Sequence, residues 1–179
     1  MQRILSYLRR TIDNYNMIEE GDKIAVGLSG GKDSFTLLMG LKALQRFYPK
    51  KFDVIAVSVN PGFEFFNSEF LKTKCEEIGV EYVEEVSYIK EIVFDIRKEK
   101  NPCSLCANLR RGIINSVAIR EGCNKIALGH HYDDVIETTL MNLLNSGSFQ
   151  TMLPKLKSTN FEGMELIRPM YLIREKDII

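Results

Sequence analysis

Apolar positions along the chain follow two different periods. Ile24-Ala25-Val26-Gly27-Leu28 is a short run bounded by Asp22 and Lys23 before it and by glycines after it, which predicts a buried strand. The period then changes. Phe35, Leu37, Leu38, Leu41 and Leu44 recur as on one face of a helix, with Asp33 or Ser34 suited to its first turn or cap. Phe52 to Val59 is a second strand, stopped by Asn60-Pro61-Gly62. Phe63, Phe65 and Phe66 follow, either as a lid or as core, then a helix over roughly 67–78 and a third strand near 81–86. Residues 87–102 carry no strong period and hold Lys98-Glu99-Lys100 before Asn101-Pro102, so a mobile loop is expected. Leu109, Ile113, Ile114, Val117 and Ala118 mark a helix that Gly122 ends, and Lys125 to Leu128 is a fourth strand. Gly129-His130-His131-Tyr132-Asp133-Asp134 opens a helix through about Leu144. The stretch 145–163 is polar, Glu165 to Arg168 is a fifth strand, and Arg174-Glu175-Lys176-Asp177 begins a helix. In front of it all, Ile4, Leu5, Leu8, Ile12 and Tyr15 fall at helical spacing, as in a docking helix. This alternation predicts an α/β fold. It has an open, mainly parallel sheet of about five strands, helices on both faces and an N-terminal helix within 1–18.

Composition narrows the picture. At 179 residues the chain suits one domain, 1–179, with a tail beyond Ile179 expected to be missing. Lys plus Arg and Asp plus Glu are both 24, so the formal charge is zero; attraction of nucleic acid to the whole surface is excluded, but a local basic patch is not. No run of 18 or more apolar residues predicts a membrane span. Residues 1–10 carry three arginines without a signal-type apolar core, so a cytoplasmic location is expected. Arg3, Arg9 and Arg10 either serve a packing helix or touch RNA. Four cysteines in such a chain point to metal binding or catalysis before a disulfide framework.

The chemistry starts at Ser29-Gly30-Gly31-Lys32-Asp33-Ser34. A strand, a glycine turn and a helix N-terminus make an anion site, because free N–H groups and the helix dipole converge there. Lys32 adds a full positive charge. Asp33 follows Lys32 directly and Val26 stands where the first glycine would be, so this is not a Walker A loop; glycines at 27, 30 and 31 do not match the dinucleotide fingerprint either. The string instead resembles the PP-loop of the N-type ATP pyrophosphatases, enzymes that cut ATP between the α and β phosphates. The bland alternative is a plain strand-to-helix turn. In open parallel sheets ligands sit at the carboxyl ends of the strands; the backbone near Ser58 and Asn60 is therefore the expected adenine seat.

Further segments narrow the resemblance. Pro102-Cys103-Ser104-Leu105-Cys106-Ala107-Asn108-Leu109-Arg110-Arg111-Gly112, Leu128-Gly129-His130-His131-Tyr132-Asp133-Asp134, Arg168-Pro169 and Arg174 to Asp177 resemble, in order, tRNA 2-thiocytidine synthetase. Nearly the whole chain is covered. The resemblance implies that the C2 oxygen of an anticodon-loop cytidine is adenylated with release of pyrophosphate, and that sulfur then displaces AMP. Sulfide or a cysteine desulfurase would be the donor and tRNA the partner, with a homodimer possible. It also implies that Cys103 and Cys106 supply two of three ligands to a 4Fe-4S cluster, the third lying in a segment this chain does not contain; zinc shared between subunits is the other occupant. Cys75 and Cys123 are expected as buried apolar residues.

The expected ATP contacts are Ser29, Gly30, Gly31, Lys32, Asp33, Ser34, Ser58, Asn60, Gly129, His130 and Asp134. Lys32, Asp33, Cys103, Cys106 and Asp133 are the expected catalytic residues. Asp33, acidic within an anion site, calls for Mg²⁺ between it and the phosphates, with Asp133 or Asp134 as a second ligand. His130, His131 and Asp134 equally suit capping of the helix that begins there. Arg110, Arg111, Lys155, Lys157 and Arg168 are expected on tRNA phosphates, or are solvated surface. Two other readings stay open. One is a different ligase of the same chemistry, such as a tRNA-isoleucine lysidine synthetase. The other is a non-catalytic nucleotide-binding regulator or a zinc-binding interaction module.

Overall fold

In a computed structural model, which describes residues 2–97 and 102–178, β1 (Asp22–Gly27) and β2 (Phe52–Asn60) pair in parallel from Asp22 against Phe52 to Gly27 against Val57. Both are buried along most of their length, as strands covered on both faces must be. β3 (Glu81–Val86) extends the sheet beyond β2, and β4 (Lys125–Ala127) lies on the other side of β1. β6 (Glu165–Ile167) follows in parallel, and β5 (Lys155–Lys157) closes the edge antiparallel to β6. The order is β3-β2-β1-β4-β6-β5, so the sheet has six strands rather than five. The extra one, β5, lies in the stretch read as irregular. The chain leaves β1 toward β2 and β3, then returns to β1's other edge with β4. That reversal opens a crevice at the carboxyl ends of β1 and β4.

Strand parity divides the core between the two faces. Ile24, Val26 and Leu28 face one cluster with α1 (Gln2–Asn14) and α2 (Lys32–Leu44), while Ala25, Ile55, Val57 and Val59 face the other with α4 (Pro102–Arg120). α1 buries Ile4, Leu8 and Ile12. It lies so close to α2 that a Cβ at Gly40 would overlap Leu8. α3 (Ser68–Ile78) is capped by Asn67 and stopped by Gly79 at φ +76°. α5 (Tyr132–Ser146) buries none of its residues; Leu140, Met141 and Leu144 stay exposed on it.

Three expectations change. Residues 87–102 are not irregular throughout, since Glu91–Ile96 winds as a π-helix and buries Val93; the Lys98-Glu99-Lys100 run and Asn101 lie outside the described residues. Cys103 and Cys106 stand inside the first turns of α4 rather than ahead of it. The unfinished helix at 174–177 is a 3-10 turn, Glu175–Asp177.

Candidate active site

The turn after β1 is tied to itself before any ligand arrives. Leu28 N–H still donates to Val57 O at 2.8 Å, so the strand pairing holds to the turn's edge. Gly30 then takes φ +87°, a conformation open to glycine and strained for other residues. The Ser34 hydroxyl donates to Gly31 O at 2.9 Å and accepts from the Ser29 N–H at 3.3 Å, closing a ring of short contacts. Gly31 occupies the cap of α2 without a side chain, which leaves first-turn N–H groups for an external anion. Lys32 extends from that turn. Its ammonium meets Glu175 Oε1 at 3.0 Å and Asp33 Oδ1 at 3.1 Å, and these partners, Glu175 foremost, raise its pKa above the usual lysine value.

The loop after β4 presses against the same helix end. A Cβ on Gly129 would stand 3.1 Å from the Asp33 carbonyl carbon and 3.2 Å from Ser34 N. Its lack of a side chain lets two strand ends share one site. Next in the chain, His131 caps α5: its Nδ1 accepts from the Asp134 N–H, and its own N–H donates to Asp134 Oδ2 at 2.7 Å. Asp133 accepts from Glu175 N–H at 2.6 Å. The 3-10 turn thus bridges the N-terminal ends of α2 and α5.

Between these turns and α4 lies a cleft of about 870 Å³. Leu28, Val59 and Pro61 give it an apolar floor, and Asn108, Arg110 and Arg111 of α4 form the facing wall. Ser29, Asp33, Ser34, Gly129, His130, Asp134 and Arg168 complete the lining. Three of the four buried side-chain atoms without a partner among the described residues, Arg110 Nε, His130 Nδ1 and Arg168 Nε, belong to residues of this cleft; the fourth is Ser58 Oγ. Such atoms are costly unless something completes them. Burial first, and then the Arg168 charge, hold the His130 pKa below 6.5, so the imidazole is neutral near pH 7.

Most of the sequence expectations meet here: nine of the predicted residues line the cleft, and Gly30, Gly31 and Lys32 form the turn into α2 beside Ser29 and Asp33. Others lie elsewhere. Ser58 is fully buried on the opposite side of β2 from Val59 and does not line the cleft. Asn60 is engaged with Glu84 at 3.0 Å and with Gly62 N–H. Lys155 is held by Asn16 O at 2.8 Å and Glu165 at 3.1 Å, at the other end of the sheet, and Lys157 is exposed on edge strand β5. Arg3 pairs with Asp177 and Arg9 with Asp13. Glu175 was not foreseen, whereas His131 takes the capping role that was the bland alternative for the histidine pair. Only the charge order of Arg174-Glu175-Lys176 hinted at Glu175.

Cys103 is exposed and Cys106 half-buried, whereas burial pushes the Cys75 and Cys123 thiols up to about 11, which keeps them protonated. Among the described residues no group of three or more His, Cys, Asp or Glu side chains is placed to hold a metal ion. Cys103 and Cys106 therefore do not by themselves fit a complete cluster site.

The crossover crevice, the glycine turn and the helix end behind it define a PP-loop nucleotide site, and comparison with known families agrees. Residues 4–179 match the family described as the PP-loop domain, and the chain belongs to it. Within that class it is similar to enzymes named tRNA-cytidine(32) 2-sulfurtransferase. It is 38% identical to that of Geobacter metallireducens and 41% identical to that of Syntrophotalea carbinolica, over 99% of this chain and 69% and 68% of theirs. It is 49% identical to the Aliivibrio fischeri enzyme over 94% of this chain and 55% of that one. Among solved structures, the U34-tRNA thiolase NcsA from Methanococcus maripaludis with its 4Fe-4S cluster superposes with TM-score 0.78 at 29% identity, covering 98% of this chain and 60% of that one.

Proposed function

We propose that this chain uses ATP to activate a cytidine of tRNA for replacement of its C2 oxygen by sulfur, the activity named for its curated relatives. The observation that carries this reading is the single cleft that joins an empty-capped helix end to three unpartnered polar atoms on a wall carrying Arg110. The pyrophosphate end of ATP rests on the Ser29–Ser34 turn, where Lys32 and the α2 amides take up its charge. The adenine rests on the Leu28, Val59 and Pro61 floor rather than on Ser58 or Asn60. Asp33, with Asp134 as a second oxygen donor, would hold a Mg²⁺ that offsets phosphate charge.

The C2 oxygen of cytosine is a poor leaving group. Its attack on the α phosphorus breaks the bond to the β-phosphate oxygen, and pyrophosphate departs. Sulfur then forms the C2–S bond as the C2–O bond breaks and AMP leaves with its electron pair. Neutral His130, its Nδ1 free, and the Arg110 and Arg168 guanidinium groups face the position where the α phosphate changes partners. Sulfide supplies the sulfur directly, or the persulfide of a cysteine desulfurase does so once a thiol has reduced it by two electrons. Cys103 and Cys106 would supply two thiolates to an iron–sulfur cluster, which requires a further ligand in addition to them.

Anaerobic incubation with ATP, sulfide and bulk tRNA, followed by mass spectrometry of the tRNA nucleosides, tests the whole reading. Wild type yields 2-thiocytidine, AMP and pyrophosphate. Lys32→Ala lowers pyrophosphate release about a hundred-fold or more, and Cys103→Ser abolishes thiolation while sparing ATP binding. Thiolation that survives loss of both cysteines would favour a ligase of the lysidine type, and ATP bound without AMP formed would favour a regulator.

A further inference from the structure

The loop after β2 carries an aromatic arrangement that folding alone does not require. Phe63 and Phe65 stack with ring centres 5.0 Å apart and planes 13° from parallel. Phe94 of the π-helix meets Phe63 edge-on at 6.0 Å and 70°. Phe66 of the same loop packs against the core instead. Phe65 is 82% exposed, so the outer face of the stack opens to water. A large apolar ring held in water forgoes the burial that normally stabilises phenylalanine.

The loop is nonetheless held firmly. Phe66 N–H closes a turn onto Phe63 O at 3.1 Å. Below it, Asn60 Oδ1 accepts from Gly62 N–H at 3.0 Å, and Asn60 O accepts from both the N–H and the hydroxyl of Ser87. Lys90 N–H donates to Pro61 O at 2.9 Å. Gly62 takes φ +87° with Ser87 O close behind it. Both stacked rings line the same cleft as Ser29 and Arg110.

We propose that the Phe63–Phe65 stack is the platform on which the target base of the tRNA lies once it swings out of its loop. This inference rests on the tRNA reading above and names the residues that hold the base. A flat ring with one free face accepts any base by stacking, and reaction at an atom of the base edge requires the base to leave its own stack first. The adenine of ATP is tethered to phosphates on the Ser29–Ser34 turn and reaches the enclosed floor; Phe65 at the exposed rim meets what arrives from solvent. Arg110 and Arg111 on the facing wall supply cations for the backbone of the incoming strand.

The chain contains no tryptophan, so Phe65→Trp places a sole reporter on the platform. An RNA anticodon stem-loop with a loop cytidine is the probe. Its addition quenches the emission of the introduced indole, and ATP alone does not. Quenching by ATP without RNA overturns the proposal in favour of an adenine seat, and no quenching by either overturns it outright. In parallel, Phe65→Ala weakens stem-loop binding by roughly 5- to 150-fold. Phe65→Tyr restores it, and both variants keep wild-type ATP affinity and melting temperature. Stem-loop affinity unchanged in Phe65→Ala also overturns it. Because these readouts are binding, they separate from the reading beneath: a protein whose reporter is quenched normally but which forms no 2-thiocytidine refutes thiolation and leaves the platform standing.

Discussion

His130 is the residue whose behaviour reports most directly on the site. Its Nδ1 has no partner, and burial keeps the ring neutral. The unfolded chain protonates this histidine near 6.5 and the folded chain only at lower pH. Between those values the unfolded state binds more protons, so stability rises with pH through the window and falls as pH drops below 6.5. Melting temperatures measured from about pH 5 to 7.5 should slope more steeply for wild type than for His130→Gln. Equal slopes would mean that the ring is solvated. Arg110 and Arg168 present the same situation with permanent charges: each buries an Nε that nothing among the described residues meets.

At the scale of elements, two helix ends do the positioning and Gly129 is where they meet. Gly129→Ala places a methyl group against the α2 backbone at Asp33 and Ser34, which cannot swing aside as a side chain would. The loop must shift by a few tenths of an ångström, with a cost of about 1–3 kcal/mol in chemical denaturation and a clear loss of ATP affinity by calorimetry. Lost affinity with unchanged stability would place the whole effect in the pocket. The same elements show what the sequence made legible. β1, α2 and the turn between them announce themselves through an apolar run, glycines and a helical period. β5 does not, because Lys155-Leu156-Lys157 is too short to show alternation. The π-helix at Glu91–Ile96 escapes because its turn is longer than the 3.6-residue period that marks a helix. Beside the expected adenine seat, the parity of β2 decides which side chains reach the cleft. Successive residues of β2 face opposite sides, so Val59 reaches the cleft floor while Ser58 turns into the α2 layer. The cap by His131 was legible as the ordinary use of a polar side chain at a helix start.

Across the whole molecule the two ends of the sheet have different tasks. The carboxyl edge holds the unpartnered atoms and the open aromatic stack. At the amino edge, Lys125 is buried and fully engaged, with Asp22 at 2.8 Å, Glu165 at 3.2 Å and Met17 O at 2.8 Å. These contacts bind β1, β4, β6 and the α1–β1 connection together. Burial pushes the Asp22 carboxyl up, but the Glu19 N–H, Lys125 and Asn124 outweigh it and hold the pKa below the usual carboxylate value. Lys125→Ala leaves the buried Asp22 carboxylate without its cation, while Glu165 keeps Lys155, and should cost about 3–5 kcal/mol in urea unfolding. ATP affinity per folded molecule should not change. A milder loss would show that Asn124 alone satisfies Asp22.

The Glu175 carboxylate on Lys32 carries a consequence for how nucleotide enters. A negatively charged placeholder already rests on the lysine proposed to meet a phosphate oxygen, so on that proposal loading is an exchange of anions rather than the filling of a vacancy. Through its backbone Glu175 also holds Asp133, so the incomer that evicts the side chain loosens the clasp between two helix ends. Glu175→Gln, which weakens the placeholder and keeps the backbone contact, should tighten ATP binding in low-salt calorimetry and leave melting unchanged. Unaltered affinity would show that the clasp opens for free.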